Sequence, residues 1–561
     1  MASKSSARER VKAALRNKDI KLKDEMKEEQ AKRAAKSSGG APHIVVVARA
    51  GTGKTTTCCG GIRRLCNERV DFTPSAQQKD IWDSMALEEP SKILVCAFSK
   101  AIQLELEKRL PFPNVETRTC HSFGNQIIRG DTRTKFSKME EYKNLNLIEQ
   151  ITKVPSKDFN AKKIPGYVTS DLVRSCKQNL VAFSDLNEFY YQCEKLVVEY
   201  DIDLRKFSLE EVVALAQQVL FKSTELTQSK NGKYYYLKEY DFEDMIWLPI
   251  AMDMDFHQED LIIVDEAQDL NRCQQEFCLR LGRRIVLVGD PKQAIFAFAG
   301  ADSDSMPRMQ QRLVNTDRGC QVFPLNTTYR CGRKIVELAN KIVPDYFAYE
   351  KNPEGSVTFD YPEESLLGAL QDDNMVICRT NAPLVSLCFR LLKSGKKARI
   401  QGRDIGKGLL DLVNKLKGND IDDLKDKLAK WYVKEHEKLL KKKFPSEPAI
   451  IALEDKVKCV ATFIDNCESV PEVQVSIQRI FNNTGSGVLL TSGHRSKGLE
   501  AEHVYIIHPE LLPHPMAKTA TAREQEENLR YVMITRAIQS LTFVKTTPKT
   551  SQDNFLDSLT A

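Results

Sequence analysis

The sequence predicts an α/β protein made of two cores of parallel strands, each carrying a helical insertion. Three observations carry that expectation. Short, unbroken apolar runs end in small or acidic residues, the pattern of strands buried on both faces and followed by a loop. Amphipathic stretches of helical period separate the runs, as crossovers between parallel strands require. At 561 residues the chain exceeds what one core organises, so several domains are expected.

Residues 1–40 contain about two basic residues for every acidic one and end in "KSSGG". They read as a flexible arm, either a loose nucleic-acid contact or a solvated tail. The first core is expected over 41–124 and 245–320, where "HIVVVA", "KILVCAF", "LIIVDEA" and "RIVLVGD" supply strands. Between its two parts, 125–244 changes to helical segments such as "DLVRSCKQNLVAF" and "LEEVVALAQQVLF". The second core is expected over 321–405 and 485–561, on "GSVTFDY", "NMVICRT", "GVLLTS" and "HVYIIHP". A short helical insertion fills 406–484, and its "HEKLLKKKFP" reads as a basic helix face.

Composition excludes several classes. With 83 basic and 77 acidic residues the net charge is only +6, so contact with a polyanion must come from local patches. The 15 cysteines include no C-x-x-C pair, which argues against a zinc site and a disulfide framework and favours a reducing compartment. No apolar run approaches a membrane span, and the first residues lack the apolar stretch of a secretory signal. A soluble protein of the cytoplasm, nucleoid or nucleus is expected.

The chemistry begins at "VVVARAGTGKTTT", Val45 to Thr57, where a β-branched run enters a glycine-bearing loop. Ala48 stands where G-x-x-x-x-G-K-[ST] has its first glycine. The loop of Ala48, Arg49, Ala50, Gly51, Thr52 and Gly53 aims backbone N–H groups at phosphate oxygens, and Thr56 continues the helix it opens. Lys54 supplies a point charge to the β- and γ-phosphates, and Thr55 offers a hydroxyl to Mg²⁺. "LIIVDEAQDL" then puts Asp265 and Glu266 at a strand exit, the first suited to Mg²⁺ and the second to orienting or deprotonating the attacking water. Together these predict an ATP or GTP site.

The segments "ARAGTGKTTT", "VCAFSKAI", "RTCHSFG", "VDEAQDL", "VGDPKQAIFAFAGAD", "NTTYRCGRKIVELAN", "TSGHRSKGLEAEHVYII" and "ENLRYVMITRA" follow in order. They resemble motifs I, Ia, Ib, II, III, IV, V and VI of the UvrD/Rep group of superfamily 1 DNA helicases, and most closely the branch that includes the F-box DNA helicases. The resemblance implies two RecA-like P-loop cores using ATP and Mg²⁺. An alanine commonly opens motif I in that family, which accounts for Ala48. It implies that Gln293 senses the γ-phosphate, that Arg330 and Arg536 act as arginine fingers from the second core, that Tyr329 stacks on adenine and that Glu500 accepts from the ribose. It places Phe98, Lys100, His121, Phe123, Phe296, Phe298, His494 and Lys497 on or near the strand path, aromatics for base stacking and lysines for phosphates.

The activity so implied is a monomeric ATP-dependent motor that tracks single-stranded DNA 3′ to 5′ and unwinds forked or duplex DNA in replication, recombination or repair. Three departures qualify it. Ala299 replaces the arginine that couples nucleotide to DNA; the adenine-reading glutamine is either Gln30 or displaced into "FTPSAQQKD"; and the second insertion is short. They keep open a translocase that strips proteins with little unwinding, and, more remotely, a DNA-binding scaffold with a degenerate motor. Motif VI lies near the C-terminus, so no fused nuclease is expected.

Overall fold

The computed structural model describes residues 40–97, 99–200, 202, 204–229, 235–295, 304–441, 447–482, 485–515, 517 and 520–545. The arm before residue 40, with Gln30, and Phe98, Phe296, Phe298 and Ala299 lie outside the described residues.

The first six-stranded sheet contains β1 (His43–Ala48), β2 (Ile93–Ala97), β3 (Val115–Thr119), β4 (Glu259–Val264), β5 (Gly282–Gly289) and β6 (Cys320–Leu325). Their spatial order is β6-β1-β5-β4-β2-β3, and every neighbouring pair is parallel. The apolar runs form these strands because both faces are covered: all five residues of β2 are buried, as are Leu261 to Val264 of β4. β6 joins this sheet with His43 opposite Cys320, so the first core extends past the boundary expected at 320.

The second six-stranded sheet contains β7 (Ser356–Pro362), β8 (Met375–Cys378), β9 (Ala398–Ile400), β10 (Val488–Ser492), β11 (Ala501–Ile506) and β12 (Ala537–Lys545). Its order is β7-β12-β11-β8-β10-β9, again all parallel. The architecture is therefore the α/β pair of parallel-sheet cores that the sequence predicts.

Helices Lys143–Thr152, Gly166–Gln178, Leu186–Glu199 and Leu209–Thr224 occupy the first interruption. Ser208 and Glu211 close a reciprocal capping box at the start of the last, and its Val212, Val213, Ala216, Val219 and Leu220 face inward. A buried ion cluster fastens this assembly: Lys143 Nζ lies 2.6 Å from Asp244, and Lys177 Nζ lies 2.7 Å from Asp241 and 2.8 Å from Asp244. Helices Arg403–Leu416, Ile421–Leu440, Glu447–Asp465 and Val470–Asn482 occupy the second. Asp455 of the third accepts the Asn381 and Ala382 N–H groups at 2.8 Å, capping helix Ala382–Lys393 of the second core.

Candidate nucleotide and nucleic-acid site

The strand order brings the phosphate loop, Asp290 and the Asp265–Glu266 pair to the carboxyl ends of three adjacent strands, β1, β5 and β4. Ligands of open parallel sheets bind at such edges. Ala48 is the last residue of β1, opposite Leu325, and needs no glycine conformation there. Gly51 needs one, with φ of 65°, and so does Gly53, with φ of 80°. Gly51 also has no room for a side chain: a Cβ would stand 2.6 Å from both Thr328 Oγ1 and Arg330 Cβ. The second core thus packs directly on the loop, and the Tyr329 N–H donates to Gly51 O at 3.0 Å.

Lys54 Nζ donates to Glu266 Oε2 at 3.0 Å, and the Thr55 hydroxyl donates to Asp265 Oδ2 at 3.0 Å. Thr52 is buried with its hydroxyl on Arg49 O at 2.8 Å. Thr56 Oγ1 faces Arg109 at 3.5 Å. Burial, and then the adjacent Glu266 charge, raise the Asp265 carboxyl to about 6. Burial also opposes ionisation of Glu266, but the ammonium groups of Lys54 and Lys497 override it and hold that carboxyl down to about 2. Glu266 itself adopts a left-handed backbone, φ 53°, a strained conformation for a residue with a Cβ.

Around this centre the two cores interlock. Arg49 forks onto Asp345 of the second core at 3.0 and 2.9 Å, and its Nη1 donates to Asp290 at 3.0 Å. Gln293 is buried and donates to Asp290 Oδ2 at 2.8 Å. Tyr531, fully buried on helix Ala520–Ile534, accepts the Ala50 N–H at 2.9 Å and donates to Asp290 at 3.3 Å. Tyr531, Asp290 and Asp345 are missing from the sequence reading. A polar group in the apolar helical run of motif VI was the available signal for Tyr531, because a buried Tyr hydroxyl requires a partner.

Other expected residues have partners within the protein. Lys497, expected at DNA phosphates, donates to Asp269 at 2.8 and 2.6 Å and to Gln293 O at 2.7 Å, a tie between the cores. Glu500, assigned to ribose, is paired with Arg330 Nε at 2.6 Å. The Arg330 side-chain stem packs on Gly51 of the loop, whereas Arg536 is buried and donates to Val532 O at 2.8 Å and Leu499 O at 3.1 Å, within its own core. Burial, and then the charge of Arg330, lower the Arg536 guanidinium to about 10. Tyr329 is partly exposed and rests against Tyr349, with ring centroids 4.9 Å apart.

On the expected strand path, Ser99 caps helix Lys100–Arg109 and leaves Lys100 exposed at its start. Phe123 is corrected: it is 4% exposed and belongs to the apolar core of the first domain. His121 lies on the other side of the same helix, and its ring stacks on Phe242 with centroids 4.0 Å apart and planes 17° apart. Phe242 is 50% exposed and was missed. Its signal was an aromatic residue between Asp241 and Asp244, whose side chains cap each other's backbone N–H at 2.8 and 3.0 Å and so hold the turn. His494 lines a cleft of about 670 Å³ with Arg379, Gln401, Asp455, Arg495 and Glu526. Burial, and then the charge of Arg379, push its imidazole down to about 3, so it is neutral there.

The family model described as UvrD/REP helicase N-terminal domain matches residues 26–313, and that of the UvrD-like helicase C-terminal domain matches 454–547. The chain is 24% identical over 523 residues to F-box DNA helicase protein 1 of Schizosaccharomyces pombe, covering 84% of this chain and 54% of that protein. It is 27% identical over 329 residues to a probable DNA helicase II homolog of Mycoplasma genitalium, covering 55% and 41%. Against the ATP-dependent DNA helicase Rep of Buchnera aphidicola it is 21% identical over 338 residues, covering 54% and 43%. The chain spans about half the length, or less, of these relatives. With the first model alone matching half of the chain, the protein belongs to the UvrD/Rep helicase family.

Proposed function

We propose that this chain is an ATP-driven DNA helicase that moves 3′ to 5′ along single-stranded DNA as a monomer. The observation that carries the reading is that Lys54, Thr55, Asp265 and Glu266 gather on one core while Arg330 and Tyr531 of the other contact Gly51 and Ala50 of the same loop. Thr55 and Asp265 suit Mg²⁺: a hydroxyl and a buried carboxylate share one hydrogen bond that an oxygen-seeking cation replaces. When bound, that ion neutralises charge on the transferring phosphoryl group.

The protein's own residues perform the rest. Lys54 exchanges Glu266 for the phosphates, which frees the Glu266 carboxylate to accept a proton from water. Arg330 approaches from the second core, so hydrolysis depends on how the cores are seated. Movement between them then reaches His121 and Phe242 at one end of the strand path and the His494 cleft at the other.

Two expected results follow from this site. Because Asp265 must ionise to bind the cation, nucleotide affinity in Mg²⁺ should weaken about tenfold per pH unit below about 6, the proton competing with the ion. A fluorescent-nucleotide titration from pH 5 to 8 checks it, and a flat profile contradicts the assignment. Phe242→Ala should weaken single-strand affinity by about 1–3 kcal/mol, the worth of one stacked base, as read by fluorescence anisotropy.

Ala299 in place of the coupling arginine supports a second reading, a translocase that displaces bound proteins with little unwinding. Strand separation and removal of a protein roadblock, measured on the same 3′-tailed duplex, distinguish the two. Unwinding supports the helicase; roadblock removal without unwinding supports the translocase.

A further inference from the structure

Three thiols distant in sequence converge behind the carboxylate strand. Cys96 lies in β2, Cys120 opens helix Cys120–Gly130 and Cys278 lies in helix Arg272–Leu281. All three are buried, their sulfurs lie within 4.8 Å of one another, and Cys120 Sγ is 3.7 Å from Cys278 Sγ. Metal–sulfur bonds of about 2.3 Å place the sulfurs about 3.8 Å apart in a tetrahedron and about 4.0 Å apart in a trigonal plane. The cluster therefore reaches metal-binding geometry through shifts of about 1 Å or less.

Buried cysteines commonly act only as small apolar side chains, and Cys176 with Cys193, also 3.7 Å apart, illustrates such a pair. The triad differs in having a third sulfur and in its position. Cys96 O accepts the Asp265 N–H at 3.3 Å, and Cys120 immediately precedes His121. The absence of C-x-x-C argued against a metal because that test examines only sequence neighbours, while here the sheet order assembles the donors.

We propose that Cys96, Cys120 and Cys278 form a trithiolate site for a thiophilic d¹⁰ metal ion, a class that includes Cu⁺, Zn²⁺ and Cd²⁺. Each coordinating thiol releases its proton to solvent as its sulfur binds the ion, and no electron is transferred. The bound ion ties β2, the helix carrying His121 and the helix that follows the carboxylates into one unit.

Cd²⁺ titrated into the reduced, purified full chain under anaerobic conditions tests the proposal. The expected result is one equivalent of tight binding with a thiolate-to-metal charge-transfer band, lost in Cys278→Ser and Cys96→Ser and retained in Cys193→Ser. X-ray absorption on the wild-type complex should count three sulfur neighbours, a readout that does not depend on any variant folding. No stoichiometric band, a band unchanged in Cys278→Ser, or an ion surrounded by oxygen and nitrogen would each overturn the proposal.

Discussion

Glu266→Gln is expected to lower the rate of ATP hydrolysis by about 10² to 10⁴, the contribution typical of a positioned general base. Without nucleotide, Glu266 is held down to about 2 chiefly because the nearby Lys54 ammonium outweighs the cost of its burial. In that state it is a poor base. Nucleotide phosphates compete for Lys54, and as that partner leaves, the carboxyl rises toward its ordinary range while remaining next to the Thr55–Asp265 pair. Glutamine keeps the shape but accepts no proton, and it releases Lys54 from its strongest local competitor. Nucleotide affinity should therefore be preserved or tighter while turnover collapses. Steady-state turnover and equilibrium nucleotide binding on the same preparation check this, and a loss of binding equal to the loss of rate would contradict it.

Lys177→Met should destabilise the fold by about 3–5 kcal/mol, the cost of leaving a buried carboxylate without its partner. Lys177 is completely buried between Asp241 and Asp244, and Lys143 contacts only Asp244 among those two. Methionine fills similar volume, so the loss is electrostatic and not a cavity. Because both aspartates flank Phe242, the same substitution should also reduce single-strand affinity. Urea denaturation followed by tryptophan fluorescence gives the stability change, and adding Asp241→Asn should restore part of it by removing the stranded charge. A shift below about 1 kcal/mol in the single variant would mean that Asp244 and Lys143 compensate on their own.

The parts of the site legible in the sequence are those in which a short segment carries its own chemistry. Lys54 and Thr55 follow a glycine loop, and Asp265 and Glu266 follow a buried strand, so local spacing sufficed. The fold class was legible for a related reason: strands covered on both faces have a pattern that few other elements share. Phe123 failed because residues two apart on a helix point about 200° apart, so it and His121 cannot both face the strand. The partner that Lys497 has in the structure, Asp269, was not legible because it is 228 residues away and is supplied by the other core. Distance in sequence likewise hid Tyr531 from Ala50, and Phe242 from His121. The boundary expected at 320 cut off most of β6 because no local pattern at Cys320–Leu325 names the sheet that strand joins.

Steady-state ATP hydrolysis by the purified full chain, with and without single-stranded DNA and with Glu266→Gln as control, tests the central claim most directly. The expected result is strong stimulation by DNA, weakened by added salt as phosphate contacts require and absent in the variant. A rate that DNA leaves unchanged, in protein that still binds both ligands, would contradict the claim that nucleotide and strand are coupled through this cleft.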